Sequence, residues 1–184
     1  MQEIRFHGRG GQGTVIASIV LAKALFAAGF YVQTFPLFGS ERRGAPVEAY
    51  LRMDDRKIRI RSNVYRPDHV IILDGKLPEL VEVTAGLSDK GTVTINSPLK
   101  EGFEGRFGMR KTGIVDASTI ACNHKLGTPS QPIVNTAVLG AFAKVAGIPP
   151  LDHIISAILE EAPINKEANA EAAKKAYQET MIIQ

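Results

Sequence analysis

The chain has 184 residues, of which 45% are hydrophobic and 22% are charged, and its formal net charge is +3. These values are typical of one soluble globular domain, here covering residues 1–184, and large enough to bury about 70% of the surface that its unfolded chain exposes. No apolar run approaches the ~20 residues of a membrane span, and no signal peptide is apparent. The single cysteine, Cys122, cannot form an internal disulfide, so we expect a cytoplasmic protein.

The first predicted elements are a strand, a turn and a helix. Residues 3–7 are β-like, and apolar residues then recur at helical spacing from Val15 to Ala28. Gly29 follows, at a position where the end of a helix favours a left-handed residue. Residues 30–36 predict a second strand, so the chain is expected to open with a Rossmann-like βαβ unit.

The turn between this strand and this helix is the first candidate site. Such a turn directs free backbone N–H groups and the positive end of a helix dipole at one point, where anions and above all phosphates bind. Its glycines match G-x-G-x-x-G, the dinucleotide fingerprint, but a nicotinamide-binding fold also requires an acidic residue at the end of the second strand, and none occurs before Glu41. The turn is therefore either a tight connector or a site that binds a phosphate or faces a partner. The candidate residues are Gly8, Arg9, Gly10, Gly11, Gln12, Gly13 and Thr14.

A basic stretch follows the second predicted strand. Residues 42–66 contain eight Lys or Arg and three acids, a net charge of +5 in a chain whose total is +3. This stretch is either a solvated surface or a surface that contacts an acidic partner or cofactor. Nucleic acid is not predicted, because neither interleaved aromatic residues nor a high overall charge accompanies the cations.

The same stretch predicts a β-hairpin near residues 46–61. Residues 46–53 read as a strand, and an Asp-Asp turn follows them. Residues 57–61 alternate strictly between cations and isoleucines, which is the period of a strand with one buried face.

Strands and helices alternate through the rest of the chain. Residues 69–73 form a continuous apolar run, typical of a parallel strand buried on both faces, and Asp74 ends it. Further strands are predicted at residues 91–95 and 111–115, and helices at residues 77–85, 116–125, 132–146, 151–161 and 165–182. This alternation predicts an α/β fold, a three-layer α/β/α sandwich with a mainly parallel sheet. Within the helix at 132–146, close helix packing is the favoured interpretation of Gly140.

The sequence offers neither a catalytic set nor a metal site. Its four histidines show no ligand spacing, and Cys122 and His124 form only an isolated pair. Asp74 lies where α/β folds place ligands, but a turn or helix cap is its favoured role. We therefore predict no catalytic residue and no metal ligand in this chain.

Two longer motifs together resemble a known family. The first is Gly8–Gly13, and the second is Phe35–Val47, which reads Phe-Pro-Leu-Phe-Gly-Ser-Glu-Arg-Arg-Gly-Ala-Pro-Val. The chain resembles the gamma subunit of the 2-oxoacid:ferredoxin oxidoreductases over essentially its whole length, including residues 68–74 and 135–141. Arg9 and the Glu-Arg-Arg-Gly-Ala-Pro run look most like the pyruvate and branched-chain 2-oxoacid members.

The resemblance implies a role in a larger enzyme. Enzymes of that family decarboxylate a 2-oxoacid on thiamine diphosphate, pass electrons through iron–sulfur clusters to ferredoxin and usually form an acyl-CoA. It implies alpha, beta and delta-type partner subunits and no membrane partner. One cysteine cannot supply the four thiolates of a conventional cluster, and no thiamine diphosphate signature is present, so this chain is expected to bind neither cofactor and to be inactive alone.

The resemblance also extends the set of candidate residues. A non-catalytic subunit would help to enclose the active site and the path of CoA. The alternative from the residues themselves is a stand-alone nucleotide-binding module or an NAD(P)-type dehydrogenase. Candidates for cofactor binding or for an interface, besides the turn, are Glu41, Arg42, Arg43 and Asn135.

Overall fold

A computed structural model describes residues 1–37, 44–99 and 102–184. Within these ranges the strands are β1 (Gln2–Arg9), β2 (Tyr31–Leu37), β3 (Pro46–Asp54), β4 (His69–Ile72), β5 (Thr92–Asn96), β6 (Lys111–Val115), β7 (Gly127–Thr128), β8 (Gln131–Pro132) and β9 (Met181–Ile183). The helices are α1 (Thr14–Ala27), α2 (Ala117–Asn123), α3 (Ala137–Ala146), α4 (Leu151–Glu161) and α5 (Lys166–Glu179).

Seven of these strands form one sheet in the order β2-β3-β1-β4-β5-β6-β9. β1, β4, β5 and β6 are parallel neighbours. β3 is antiparallel to both β1 and β2, and β9 is antiparallel to β6. Five of the seven strands therefore run in one direction, and the predicted mainly parallel α/β sheet is confirmed.

The predicted hairpin at residues 46–61 is wrong. β3 pairs with β1 along one edge and with β2 along the other, so neither edge is free for residues 57–61. Those residues form no strand. Their alternation does not mark a buried face, since the side chain of Ile60 is 44% exposed.

The Rossmann-like start is correct in its strand, turn and helix but not in its strand order. β2 does not lie beside β1, because β3 is inserted between them. The chain after α1 therefore places β2 at the edge of the sheet, one strand further out than the expected βαβ unit would.

The two faces of the sheet are covered differently. All five α-helices contribute to one apolar cluster with residues of β1 and β3, including Phe6 and Leu51. The opposite cluster joins β4, β5 and β6 to a 3-10 turn at Leu77–Glu79 and to turns that carry Phe103 and Phe107. In the described residues the third layer is thus irregular, and the helix predicted over 77–85 is wrong. Residues 83–85 are not helical because the backbone carbonyls of Val83 and Ala85 accept hydrogen bonds from the side chain of Arg5 in β1.

Candidate functional site

The glycine-rich turn joins the end of β1 to the start of α1. Gly11 and Gly13 have φ of 98° and 76°, in the left-handed region that favours glycine. The backbone N–H of Gln12 donates to the carbonyl of Arg9 at 3.0 Å. In return, the side-chain Oε1 of Gln12 accepts from the backbone N–H of Arg9 at 2.8 Å. Gln12 thus closes the turn with both its backbone and its side chain.

The first backbone N–H groups of α1 have no acceptor among the described residues and are available to a ligand. Ala17 N–H donates to the carbonyl of Gly13 at 2.9 Å and completes the first helical hydrogen bond. The N–H groups of Thr14, Val15 and Ile16 precede that bond and have no acceptor within the helix. Gly13 is the N-cap and supplies no side-chain acceptor. These groups, together with the helix dipole, make the start of α1 attractive to an anion.

Arg9 brings a positive charge to the same place. Its Nε lies 2.5 Å from Oδ2 of Asp74, and its Nη1 donates to the carbonyl of Gly44 at 3.2 Å. Asp74 follows β4, and its other oxygen accepts from the backbone N–H of Lys76 at 2.9 Å. The predicted turn-capping role of Asp74 is confirmed, and the structure adds a second role, which is to hold the guanidinium of Arg9 in position.

Thr14 explains why residue 8 is glycine. Its side chain is 3% exposed, and its Oγ1 has no hydrogen-bond partner among the described residues. A Cβ atom on Gly8 would overlap the side chain of Thr14, whose own Cβ lies 3.3 Å from that position. The glycine therefore makes room for the buried side chain of Thr14 at the start of α1.

Asn135 lies against the turn, although 122 residues separate it from Gly13 in the sequence. A Cβ on Gly13 would come within 2.5 Å of Nδ2 of Asn135. The side-chain oxygen of Asn135 accepts from the N–H of Thr136 at 2.9 Å, and the residue is buried. The structure thus brings together Asn135 and the turn residues, which the sequence predicted as separate candidates.

An open cleft of about 830 Å³ lies over the turn. Its apolar wall includes Val15, Ile16, Val47 and Pro132. The short β7–β8 hairpin closes one side, a contribution that sequence reasoning missed. The Thr-Pro-Ser-Gln-Pro run at residues 128–132 was its only available signal. The cleft is lined by Arg9, Gly10, Gly11, Gln12, Gly13, Thr14, Val15, Ile16, Gly44, Val47, Ser130, Gln131 and Pro132.

Three sequence candidates, Glu41, Arg42 and Arg43, lie outside the described residues. The described chain stops at Leu37 and resumes at Gly44, and Gly44 lines the cleft. In the described ranges, no group of three or more His, Cys, Asp or Glu could hold a metal ion. None of the helices there combines the length and apolar character that a bilayer crossing requires.

The strand that leads into the turn carries buried polar side chains that the sequence analysis did not identify. Nε2 of His7 lies 3.1 Å from the carbonyl of Val83, which Arg5 also contacts. Burial lowers the pKa of His7 from 6.5 to about 4; the carboxylate of Glu48, 3.5 Å from Nδ1, opposes that shift, and the cation of Arg5 reinforces it. His7 is therefore neutral at neutral pH and helps to hold the irregular layer on the sheet.

The fold and the cleft define an α/β domain with an anion-attracting turn. Residues 3–179 match the pyruvate ferredoxin/flavodoxin oxidoreductase family. The chain is 51% identical over 181 residues to the pyruvate synthase subunit PorC of Methanothermobacter thermautotrophicus, covering 97% of this chain and 96% of the relative. It is 47% identical to the common gamma subunit of the pyruvate/ketoisovalerate oxidoreductases of Pyrococcus abyssi, with both chains fully covered.

A solved structure agrees with these sequence relatives. The crystal structure of the PORC subunit of pyruvate oxidoreductase from Thermotoga maritima superposes with a TM-score of 0.82 at 35% identity, covering 100% of this chain and 98% of that one. The chain therefore belongs to the pyruvate ferredoxin/flavodoxin oxidoreductase family. It is a gamma subunit of a multi-subunit pyruvate or related 2-oxoacid:ferredoxin oxidoreductase.

The comparisons give no support to a stand-alone dehydrogenase, and the sheet explains why the glycine fingerprint is misleading. In a dinucleotide-binding fold, the second strand lies beside the first and ends in the acid that holds the ribose. Here β3 occupies that place, and β2 ends at Leu37 without an acidic residue.

Proposed function

We propose that the cleft over the start of α1 binds the phosphates of CoA in the assembled oxidoreductase. The single observation that carries this proposal is the convergence on one open cleft of the Arg9 guanidinium and three backbone N–H groups that have no acceptor among the described residues. N–H groups at the start of a helix are suited to phosphate oxygens, and arginine adds a positive charge and a planar set of N–H donors.

The residues present fit such a ligand. The turn supplies donors for the phosphates, while Val15, Ile16 and Pro132 offer an apolar wall for the uncharged arm of the molecule. CoA supplies the thiol that accepts the acyl group. This chain's own part is to hold the phosphates, and Asp74 and Gln12 keep Arg9 and the turn in place for that purpose.

We further propose that thiamine diphosphate and iron–sulfur clusters reside in alpha, beta and delta-type partner subunits, with ferredoxin as the electron acceptor. The lone Cys122 supports this division of labour, since it cannot build a cluster site. We propose pyruvate as the oxoacid. The gamma subunit does not decide this choice by itself, because one relative is common to pyruvate and ketoisovalerate enzymes.

Two glycines provide a matched test. Gly11 and Gly29 have φ of 98° and 96°, and a Cβ on either would meet no atom within 4 Å. Gly11→Ala and Gly29→Ala therefore carry the same backbone strain, about 1 kcal/mol, but only the first places a methyl group in the cleft. We expect Gly11→Ala to raise the KM for CoA of the assembled enzyme about tenfold while Gly29→Ala leaves it unchanged.

The test also separates the other roles of the turn. If Gly11→Ala alone prevents assembly of the subunits on a sizing column, the turn faces a partner and the CoA proposal fails. If assembly and the KM values for CoA and pyruvate match those of Gly29→Ala, the turn is only a connector between β1 and α1.

A further inference from the structure

A fixed basic surface lies far from the cleft. We call residues 56–66, between β3 and β4, the basic segment. It has no regular secondary structure, yet a buried arginine holds it on the sheet. Nη2 of Arg52, whose side chain is 1% exposed, donates to the carbonyls of Ser62 at 2.7 Å and Asn63 at 3.1 Å. Its Nε binds Oε1 of Glu3 at 2.6 Å, which fixes the direction of the guanidinium.

A second set of contacts holds the end of the segment. Val64 is buried. The backbone of Tyr65 packs so closely on Gly86 that a Cβ there would lie 3.2 Å from the Tyr65 carbonyl carbon. The next residues continue this attachment, since the N–H of Ser88 donates to the carbonyl of Pro67 at 3.0 Å. The segment is therefore anchored to the sheet from Ser62 onward, directly after the cations at 57, 59 and 61.

The charge of the basic segment is not balanced within the described part of the chain. Arg56 makes one ion pair, with the exposed Asp55 at 3.8 Å. No carboxylate of the described residues pairs with the other cations, which are Lys57, Arg59, Arg61 and Arg66. Some cations elsewhere are paired with carboxylates, as Lys23 is with Glu160 and Lys175 with Glu179. Uncompensated charge on a fixed backbone is suited to an oppositely charged surface.

Apolar and aromatic groups stand among these cations. Tyr65 is 71% exposed and Ile60 is 44% exposed. Tyrosine and arginine are enriched at protein interfaces, where the aromatic ring supplies contact area and the guanidinium binds carboxylates through paired hydrogen bonds. One exposed tyrosine does not form the series of stacking positions that single-stranded nucleic acid requires.

The segment is separated from the proposed CoA cleft. Arg52 binds Glu3 at the start of β1, whereas the cleft begins at Arg9 at its end. At about 3.3 Å per residue, these two ends of β1 lie about 20 Å apart. The segment therefore serves a different contact from the phosphates of the cleft.

We propose that the basic segment docks onto an acidic protein surface of another subunit of the same oxidoreductase. The inference deepens the assigned role as a subunit and does not depend on CoA binding at the cleft. The charge selects an acidic partner, and the fixed backbone reduces the ordering cost of the contact.

The experiment compares two charge-reversed gamma chains. Arg59→Glu/Arg61→Glu reverses two exposed cations of the segment. Lys125→Glu/Lys174→Glu reverses two exposed cations elsewhere and changes the net charge equally. Each purified chain is titrated into the complex prepared without its gamma subunit, at several salt concentrations. Thermal unfolding of each chain alone checks that it is folded, since all four positions are on the surface.

We expect the segment variant to bind the complex about tenfold more weakly at low salt, with the difference narrowing as salt rises, and the control variant to bind like wild type. Equal binding by both variants, or a defect that salt does not alter, would overturn the proposal.

A raised KM for CoA with normal subunit binding would assign the cations to a phosphate ligand instead. If the wild-type chain alone dimerises with rising concentration and the segment variant does not, the cations contact a second copy of the chain. If the wild-type chain binds duplex DNA and the segment variant does not, the cations contact nucleic acid.

Discussion

Replacing Gly140 by alanine tests how closely α3 and α5 approach each other. Gly140 lies on α3 and faces α5, where a Cβ would come within 2.7 Å of the carbonyl carbon of Ala173 and 3.0 Å of its Cα, with the carbonyl oxygen nearer still. Ordinary van der Waals contact begins at 3.4 Å. All three obstacles are backbone atoms, so no rotamer change relieves the overlap, and the helices must separate locally by about 1 Å.

The expected cost follows from opposing contributions. Alanine is a better helix former than glycine by about 1 kcal/mol. Overpacking a close-packed core costs about 1–3 kcal/mol, and a backbone obstacle in a fully buried interface belongs at or above the upper end of that range. We therefore expect Gly140→Ala to lower the free energy of unfolding by about 2 kcal/mol, and the Tm by about 4–8 °C for a chain of this size.

Thermal unfolding of the isolated chain measures this change, and Ala173→Gly identifies the obstacle. Because α5 opposes Gly140 with its backbone, removing the Ala173 methyl should not rescue Gly140→Ala, and the two changes should be additive within about 0.5 kcal/mol. Restoration of stability in the double variant would show that a side chain is the obstacle. A Gly140→Ala chain as stable as wild type would refute the close approach itself.

Two further predictions concern buried polar groups. Thr14→Val should raise the free energy of unfolding of the isolated chain by about 1 kcal/mol, because it removes a buried hydroxyl that has no partner among the described residues. The second concerns His7, whose pKa is about 4 in the folded chain and near 6.5 when unfolded. Because the unfolded chain binds the proton more readily, the free energy of unfolding is unaffected by His7 above pH 6.5 and falls by about 3 kcal/mol as the pH is lowered towards 4. His7→Gln should lack that part of the pH dependence.

Urea titrations of the isolated chain measure both effects. A Thr14→Val chain less stable than wild type would mean that the hydroxyl has a partner within the folded protein. For His7, the relevant quantity is the difference between wild type and variant as a function of pH, because burial also lowers the pKa of His69 and that residue is present in both chains. A difference that does not change between pH 7 and pH 4 would mean that His7 is not desolvated.

The local elements were predictable because their signals are short-range. The apolar run at 69–73, the glycine after α1 and the proline-marked break before α4 each reflect the geometry of a few neighbouring residues. The packing role of Gly140 was also predictable, since glycine weakens a helix by about 1 kcal/mol relative to alanine and a close helix contact offsets that cost. The false hairpin at 46–61 shows the limit of such signals, because alternation describes a possible strand but does not provide a free edge for it to pair with.

The polar layer opposite the helices could not be predicted in the same way. Arg5, His7 and Arg52 lie within strands that read as ordinary alternating segments, in which such residues would face solvent. They are buried because residues 62–63 and 83–85 cross that face and offer backbone carbonyls. Irregular backbone needs side-chain partners for its polar groups, and nothing local in either segment shows which strand will supply them.

The insertion of β3 between β1 and β2 changes which ligand the glycine-rich turn can recognise. The fingerprint fixes only the turn and the free N–H groups of α1, whereas the choice of ligand depends on what lies beside β1. A neighbouring strand ending in an acid would hold a ribose. In this chain the residues at that position are Gly44, before β3, and Val47, within β3, and they line the cleft together with residues of the β7–β8 hairpin. Within the described residues, the same turn thus keeps the N–H groups that attract an anion, but no neighbouring strand supplies the acid with which a dinucleotide-binding fold holds the ribose.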